Sequence, residues 1–468
     1  MTQLSNIKNY NNQPPSTTKI DVENITSVYF IGIGGIGMSA LARYFVTKEK
    51  AVAGYDKTPS KITAALADIG VHIHFEDNID LLPTSFLDQQ KTLVVYTPAV
   101  PKLHQELNYF KTSGYTVLKR SEVLGIITHS TFCLAVSGTH GKTTTSSILA
   151  HLLYESNAKI SAFLGGISNN YNSNFIQNGT EITVVEADEF DRSFLTLHPD
   201  YACITSIDPD HLDIYGDKKS LEDTFITFSN QIKPNGKLFV KYGLPIEGIT
   251  YGFEEDSDFK ILNQNISNGF YIFDIKTPNE IIKNVQFNLP GHHNLMNALV
   301  AFAMAYTNGC DVRQLKKALK NYKGVKRRFS YELNSEAQVY IDDYAHHPRE
   351  ISAVHQALRE LYPGDEVLAI FQPHLYSRTN DFAQEFGVEL SKFDALILLD
   401  IYPAREEPIK GVTSSWLLKQ VDLKHKILCT KENLISQIKK YQKRIIVTMG
   451  AGDIATEVEK IKKALINK

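Results

Sequence analysis

The chain has 468 residues, a length that exceeds one hydrophobic core and predicts about three domains. Its composition is that of an ordinary globular protein, with 43% hydrophobic residues, 22% charged residues and a formal net charge of −3. The balanced charge argues against a nucleic-acid partner, and the sequence has no apolar run of about eighteen residues that would predict a membrane-spanning helix.

The first residues and the cysteines indicate where the protein works. Residues 1–19 are rich in Asn, Gln, Thr, Ser and Pro and have no apolar segment of the kind found in a secretory signal, so we expect a disordered tail. No two cysteines stand in a C-x-x-C spacing, which favours reduced core thiols in a cytoplasmic protein over disulfides or a zinc site. The four cysteines are Cys133, Cys203, Cys310 and Cys429.

A first glycine turn follows the predicted strand 27–31. Gly32, Gly34 and Gly37 have the spacing G-x-G-x-x-G and lead into a predicted helix, and the next strand ends at Asp56. Such glycines let the backbone approach a diphosphate, whose charge the helix N-terminus stabilises. A nicotinamide cofactor is one interpretation, and a nucleotide-sugar diphosphate is the favoured one.

Short apolar strands alternate with helical stretches through this part of the chain. After the strands 27–31 and 51–55, we predict strands at 71–73, 93–96 and 115–118. Regular βα alternation predicts a parallel sheet with helices on its faces, and we place the end of this domain near Gly125.

A second glycine turn, residues 138–145 with the sequence GTHGKTTT, follows the predicted strand 132–137. Strand, glycine turn and helix together predict a nucleotide phosphate site, of a shortened type because Val136 replaces the first glycine of the usual motif. Lys142 would reach the terminal phosphates of ATP, and the Thr143 hydroxyl would bind Mg²⁺. Without a ligand, we expect Lys142 to face solvent; a glycine turn with a surface lysine is the alternative.

Acidic residues follow the next two predicted strands. Strand 183–186 leads into Glu186, Asp188 and Glu189, and strand 201–206 leads into the segment 208–213 with the sequence DPDHLD. The carboxyl ends of parallel strands line the ligand crevice of an open α/β sheet. Carboxylates clustered there predict a Mg²⁺ site, with solvated acidic loops as the alternative.

The remaining chain predicts a β-rich region at 237–287, a buried helix at 294–308 and a linker at 321–326. A further open α/β sheet follows, with strands at 338–341, 367–371, 395–399 and 444–448, the last of which runs into a third glycine turn.

The order of these motifs, from about Ser27 to Asp453, resembles that of the Mur ligases of bacterial cell-wall synthesis. The motifs are G-x-G-G-x-G-M, G-T-H-G-K-T-T-T, E-A-D-E, D-H-L-D, G-x-H-N-x-x-N-A, R-R-F and D-D-Y-A-H-H-P. The resemblance implies an α/β protein of three domains after the tail. These are a Rossmann-like UDP-sugar-binding domain (20–125), a central P-loop-type ATP-binding domain (126–325) and a C-terminal open Rossmann-like domain (326–468) that binds the amino acid and closes on ATP.

The resemblance is strongest to the alanine-adding branch of the family. It implies an ATP-dependent ligase that joins L-alanine to the carboxylate of UDP-N-acetylmuramate through an acyl phosphate, in peptidoglycan precursor synthesis. Later ligases of the pathway carry a carbamylated lysine where this chain has Ile226. The implied cofactors are ATP, as cosubstrate, and Mg²⁺. The implied partners are the three small-molecule substrates, with no nucleic acid and no membrane insertion, for a cytoplasmic monomer or weak homodimer.

The resemblance also implies roles for single residues around ATP. Lys142 and Arg328 would act on the γ-phosphate, Asn294 would contact the adenine, Asp343 the ribose and His346 the phosphates. Metal would be held by Thr143, Glu186 and His211, of which Glu186 and His211 are also expected to be catalytic. The whole turn would bind ATP, through Gly138, Thr139, His140, Gly141, Lys142, Thr143 and Thr144.

The two other substrates have their own implied residues. His347 and Arg378 would bind the amino acid, with Arg378 on its carboxylate, whereas many relatives carry another arginine where this chain has Leu375. The UDP-sugar would bind at Gly32, Gly34, Gly35, Gly37, Met38 and Asp56.

Three alternatives stay open at this point. A family member that attaches a tripeptide during wall recycling is the nearest, although the intact first glycine turn counts against it. An NAD(P)-dependent oxidoreductase would leave Lys142 and the acidic strand ends without a role. A non-catalytic nucleotide-binding switch would explain the phosphate turn alone.

Overall fold

The structure, a computed structural model, describes residues 24–208, 215–267, 270–404 and 406–466. Its packing divides the chain between Val123 and Leu124 into two compact units, which are described in turn. The predicted tail 1–19 lies outside the described residues.

The first unit is built on a five-stranded parallel sheet of order β3-β2-β1-β4-β5. All five residues of β1 are buried, as expected of a central strand covered on both faces. This strand order is that of a Rossmann-like half, in which ligands bind at the carboxyl ends of the strands. The strands are β1 Ser27–Ile31, β2 Ala51–Tyr55, β3 His72–His74, β4 Thr92–Tyr96 and β5 Thr116–Lys119, and the helices are α1 Ile36–Thr47, α2 Lys61–Ala67 and α3 Gln105–Thr112. The division between the two units falls within the next helix, α4 Arg120–His129.

The second unit contains a ten-stranded sheet of order β15-β14-β13-β12-β11-β10-β6-β9-β7-β8. Strand β6 lies between β10 and β9, parallel to both, so the residues that follow these three strands emerge at the same edge. The strands are β6 Phe132–Ser137, β7 Ile160–Ser168, β8 Ser173–Gln177, β9 Ile182–Glu186, β10 Tyr201–Ile204, β11 Lys237–Lys241, β12 Ile249–Gly252, β13 Phe259–Ser267, β14 Phe270–Lys276 and β15 Ile281–Phe287.

The helices of this part cover the sheet and form its main core. These are α5 Lys142–Glu155, α6 Lys218–Ser229, α7 His292–Thr307 and α8 Val312–Asn321. Helix α7 is apolar on almost every side and buried, as its sequence predicts, and α5 packs against it. Both helices begin at the same edge of the sheet, because α5 follows β6 and α7 follows β15, two strands that run in the same direction. Gly141 and Gly291 are their N-terminal caps.

A six-stranded sheet of order β16-β17-β21-β18-β19-β20 completes the second unit. It is parallel except for β16, which pairs antiparallel with β17 at one edge. The strands are β16 Ser330–Asn334, β17 Val339–Asp343, β18 Val367–Phe371, β19 Ala395–Leu398, β20 Lys426–Leu428 and β21 Ile445–Met449, and the helices are α9 Pro348–Leu361, α10 Tyr376–Asp381, α11 Ala383–Leu390, α12 Ser414–Gln420, α13 Lys431–Tyr441 and α14 Val458–Ile466.

The predicted fold class is confirmed, with two additions. The antiparallel hairpin β7–β8 and the antiparallel edge strand β16 were not predicted, because both have polar or glycine-containing sequences at the edge of a sheet. Among the described residues, no helix combines the length and the apolar character needed to cross a bilayer.

Candidate active site

The phosphate loop runs from the end of β6 to the start of α5, as the mechanism of phosphate binding requires. Gly138 has φ +127, and a Cβ there would lie 2.1 Å from Thr205 Oγ1, so this position requires glycine. Gly141, with φ +83, starts the helix. Ser206, after β10, anchors the loop by accepting from His140 N at 2.9 Å and contacting Thr139 Oγ1 at 2.8 Å, a role that the sequence did not predict.

The expectation that Lys142 faces solvent is wrong, because its side chain is largely buried. Its ammonium lies 2.7 and 3.0 Å from the two carboxylate oxygens of Glu189 and donates to Gly138 O at 2.8 Å. Its side chain is 13% exposed and that of Glu189 is 1% exposed. Burial by itself lowers the pKa of Lys142, but the carboxylates of Glu189, Asp188 and Glu186 overcome this effect and raise the pKa above its ordinary value.

Thr143 and Glu186 face each other across the loop. The Thr143 hydroxyl donates to Glu186 Oε1 at 3.0 Å, and Gly165 N donates to Glu186 Oε2 at 3.0 Å. A Cβ at Gly165 would lie 2.2 Å from that oxygen, so the carboxylate fits only because residue 165 is glycine. Two hard oxygen donors beside a phosphate loop suit Mg²⁺, which takes few protein ligands besides the phosphates.

The third expected metal ligand, His211, lies outside the described residues. Within the described parts of the chain, no cluster of three His, Cys, Asp or Glu side chains could hold a metal ion. The structure therefore brings together two of the three expected ligands, Thr143 and Glu186.

Helix α7 carries two asparagines in its first two turns, and one of them faces this loop. Asn294 is buried and its amide donates to Pro290 O at 2.7 Å. Asn297 was not assigned from the sequence, yet its Oδ1 would lie 2.6 Å from a Cβ at Gly141, so it faces the phosphate loop. The signal was its position three residues after Asn294 in the motif G-x-H-N-x-x-N-A, because that spacing puts both side chains on one helix face.

The two arginines that precede β16 have different surroundings. Arg327 Nε donates to Asp342 Oδ2 at 2.9 Å and its Nη2 donates to Gly450 O at 2.6 Å, which fixes it within the sheet. Arg328 lies over the Tyr344 ring, 5.0 Å from its centroid, and its Nη1 is 3.9 Å from Glu350 Oε1. Of the two arginines, Arg328 is therefore the one that lies close to the first turn of α9.

Asp343, at the end of β17, has both carboxylate oxygens engaged by the backbone. They accept from Phe329 N at 2.6 Å and from Ala345 N at 2.7 Å. Burial raises the pKa of Asp343 to about 6.

Glu350, in the first turn of α9, joins the six-stranded sheet to the phosphate loop. One oxygen accepts from His346 N at 2.9 Å and from His347 N at 3.2 Å, which completes a capping box. The other oxygen is 3.3 Å from His140 Nδ1. Burial alone would raise the pKa of Glu350, but His346, His140 and Arg328 hold it well below its usual value. This role of Glu350 was not predicted from the sequence.

The two histidines of the pair have different neighbours. The His347 ring lies beside the phosphate-loop ring of His140, with centroids 5.1 Å apart, and beside Phe382 at 4.7 Å. The His346 ring instead lies 6.0 Å from that of His374. His347 thus contacts the phosphate loop through the His140 ring, and His346 is linked to the loop through Glu350, whose Oε2 is 3.2 Å from His346 Nδ1.

Arg378 is buried in α10, and its Nη1 is 3.4 Å from His374 Nδ1. Leu375, just before this helix, has φ +71, an unusual conformation for a bulky side chain. Through His374, His346 and Glu350, Arg378 is connected to His140 of the phosphate loop by a series of side-chain contacts.

The first unit has its own glycine turn between β1 and α1. Gly32 has φ +87, and its N–H donates to Tyr55 O at 2.8 Å. Asp56 Oδ2 accepts from Gly34 N at 2.7 Å, so this carboxylate shapes the turn. Gly35 caps α1 and is exposed, and Met38 is buried beneath it, so the Met38 side chain supports the turn from within. The expectation that Met38 contacts the UDP-sugar therefore does not fit its side chain.

Arg120 lies against this turn and was not assigned from the sequence. A Cβ at Gly37 would lie 2.7 Å from Arg120 Nη1, so the guanidinium covers that glycine.

Ile226, at the position of the lysine of later ligases, is 41% exposed on α6.

Comparisons with known proteins match the chain in three consecutive parts. Residues 27–131 match the model of the Mur ligase family, catalytic domain, residues 136–305 match the Mur ligase middle domain, and residues 327–452 match the Mur ligase, glutamate ligase domain.

Similar proteins cover almost the whole chain. The UDP-N-acetylmuramate--L-alanine ligase of Flavobacterium psychrophilum is 60% identical over 449 residues, which are 96% of this chain and 100% of that protein. The ligase of the same name from Christiangramia forsetii is 55% identical over 96% of this chain and 99% of its own length.

Two crystal structures show the same fold. The UDP-N-acetylmuramate-alanine ligase of Thermotoga maritima has a TM-score of 0.79 at 24% identity, over 94% of this chain and 99% of that one. A murein peptide ligase of Psychrobacter arcticus has a TM-score of 0.67 at 21% identity, over 95% and 99% of the two chains.

Proposed function

This chain belongs to the Mur ligase family, and from that premise we propose that it joins L-alanine to the carboxylate of UDP-N-acetylmuramate, with conversion of ATP to ADP and phosphate. The observation that carries the proposal is full-length identity of 55 to 60% to ligases of that name. The product would be a precursor of peptidoglycan.

The reaction proceeds in two steps. The carboxylate of the nucleotide sugar attacks the γ-phosphorus of ATP, ADP leaves, and an acyl phosphate forms. The amine of alanine then attacks the activated carbonyl, the tetrahedral intermediate expels phosphate, and an amide remains. Lys142 and Arg328 neutralise the charge that develops on the transferred phosphoryl group.

A magnesium ion suits this chemistry and the oxygen donors at the loop. Thr143 and Glu186 would hold it, with His211 as the further ligand proposed from the family resemblance. When bound, the ion supplies positive charge to the phosphates.

The nucleotide and the amino acid would lie on either side of these groups. The turn 138–144 would hold the phosphates of ATP, with Asn294 at the adenine and Asp343 at the ribose. Arg378 would bind the alanine carboxylate through its guanidinium, with the pair His346 and His347 between amino acid and phosphates.

The nucleotide sugar would bind in the first unit, at Gly32, Gly34, Gly35 and Gly37. Asp56 would fix the conformation of the turn by accepting a hydrogen bond from Gly34 N. The buried Met38 side chain would pack against the turn from the core side. An NAD(P) cofactor is not needed by any step of this reaction.

Several broader expectations remain part of the proposal. These are the cytoplasmic location, the state as a monomer or weak homodimer, and the division into a tail (1–19) and domains 20–125, 126–325 and 326–468.

The test is ADP release with substrates varied one at a time. ADP should appear only when ATP, Mg²⁺, UDP-N-acetylmuramate and L-alanine are all present, and a tripeptide in place of alanine should give none. ADP release without either acceptor would refute the ligase, and a preference for the tripeptide would assign the chain to wall recycling. Added NADH should show no specific binding by calorimetry.

A further inference from the structure

One buried carboxylate beside the phosphate loop has no part in the mechanism above. Glu189 is 1% exposed and directs both oxygens at the Lys142 ammonium. We propose that Glu189 is a positioning residue for phosphoryl transfer, which holds Lys142 at the loop and releases one of its N–H donors to the γ-phosphate when ATP binds. This role presupposes the proposed ligase reaction.

The hydrogen-bond geometry of the ammonium supports this role. An ammonium has three N–H donors. Gly138 O takes one at 2.8 Å, and the two oxygens of Glu189 take the others at 2.7 and 3.0 Å. If a phosphate oxygen replaces one carboxylate oxygen, Glu189 keeps the second contact, and Lys142 stays fixed between Gly138, Glu189 and the phosphate.

The backbone that carries Glu189 is itself held in place. Its carbonyl accepts from Tyr215 Oη at 2.5 Å and from Arg192 N at 2.9 Å. Asp191 and Arg192, two and three residues after it, have φ of +53 and +54. Non-glycine residues adopt this region only where surrounding contacts require it, and such strain collects at functional sites.

Glu186 and Glu189 belong to one short motif but have separate partners. Glu186 contacts Thr143 and Gly165 N, on the side where the metal ion would bind. Glu189 contacts Lys142. The motif E-A-D-E thus places one carboxylate on the metal side of the loop and the other on its lysine.

The test is Glu189→Gln, which keeps one acceptor oxygen and removes the charge. Because Lys142 acts most strongly on the transition state, kcat should fall about 10- to 100-fold, the effect of one weakened charge-assisted hydrogen bond. The dissociation constant of ATP alone, from calorimetry, should change less than about threefold. Glu181→Gln, at the exposed amino end of β9, is the matched control and should leave both constants unchanged.

A double-variant cycle shows whether Glu189 acts through Lys142. In a Lys142→Ala background, Glu189→Gln should cause no further loss of the residual rate, because the group that it positions is absent. Independent losses in the two variants would overturn the proposal, as would a normal kcat with tighter ATP binding, which would make Glu189 only a competitor of ATP.

Failure of the ligase reaction and failure of the variant to fold can each be distinguished from failure of the proposal. If the unaltered protein releases no ADP with all substrates, the ligase reaction fails before Glu189 is tested. If Glu189→Gln does not fold, Glu189→Asp takes its place, because it keeps the charge but withdraws the carboxylate by one methylene. A normal kcat in that variant would overturn the proposal.

Discussion

At the scale of single residues, the ion pair between Lys142 and Glu189 means that substitution of Lys142 should lower stability as well as turnover. Lys142→Ala leaves a buried carboxylate without its counter-ion, so besides abolishing turnover it should lower the free energy of unfolding by about 2 to 4 kcal/mol. Urea titration would measure this, with Lys241→Ala, an exposed lysine at the end of β11, as the control. Unchanged stability would mean that the ion pair contributes nothing.

Arg378 gives a second prediction at this scale. If its guanidinium pairs with the alanine carboxylate, Arg378→Ala should raise the KM for alanine by roughly 30- to 150-fold, which corresponds to about 2 to 3 kcal/mol. The KM for ATP should change far less, and Arg313→Ala, an exposed arginine in α8, should change neither. An equal rise in both constants would instead place Arg378 at the phosphates.

The residues that the sequence could predict are those whose motifs are local. Gly138, Lys142 and Thr143 follow from one turn between a strand and a helix, whose chemistry is contained in consecutive residues. The partners Glu189 and Glu350 could not be predicted in the same way, because Lys142 lies 47 positions before Glu189, and His140 lies 210 before Glu350. Only the fold decides which distant carboxylate meets which cation.

At the scale of elements, α3 brings a carboxylate into the core of the first unit. Glu106 is fully buried, accepts from Tyr29 Oη at 2.8 Å in β1 and from Asn78 N at 3.2 Å, and lies 3.4 Å from His74 Nε2. Burial raises the pKa of Glu106 to about 7, despite the opposing effect of these hydrogen bonds.

This raised pKa predicts a pH-dependent stability. The folded state prefers the protonated acid, so the contribution is fully present below about pH 4.5, the usual pKa in the unfolded chain, and is lost as the pH rises through about 7. The loss amounts to about 3 kcal/mol. Amide exchange in β1 should show that Glu106→Gln removes this dependence, whereas Glu76→Gln, an exposed neighbour, keeps it. An identical pH profile in both variants would contradict the prediction.

Strands were predicted well where both faces are buried. Strand β18 was predicted at its observed bounds, and β17 and β21 within two residues, because fully covered parallel strands are continuous apolar runs. Strand β16, with the sequence SYELN, pairs on one side only and is partly exposed, so its sequence lacks that signal. Strand β8, with the sequence SNFIQ, likewise pairs on one side only, at the edge of the ten-stranded sheet.

At the scale of the whole molecule, the division at Val123 and Leu124 falls inside α4. Because α4 begins at Arg120, a fragment that starts there keeps the helix and the two sheets that follow.

We expect the fragment 120–468 to fold and to bind ATP with an affinity within about threefold of that of the full chain, since the hydrophobic clusters around both sheets lie within it. It should release no ADP when given UDP-N-acetylmuramate and alanine. Calorimetry and an ADP assay would measure both. Loss of ATP binding in a folded fragment would mean that the first unit contributes to that site.

The thiols buried in the central strands also decide how the protein tolerates oxidants. Burial raises the pKa of Cys133 in β6 and of Cys203 in β10 to about 12, and both side chains are inaccessible. Burial therefore keeps both thiols protonated at neutral pH, whereas the thiolate is the form that alkylating reagents and peroxide attack. Strand β6 leads into the phosphate loop and β10 lies beside β6 in the sheet. Because neither strand exposes a sulfur to covalent attack, a cysteine-directed inhibitor would have no target on them.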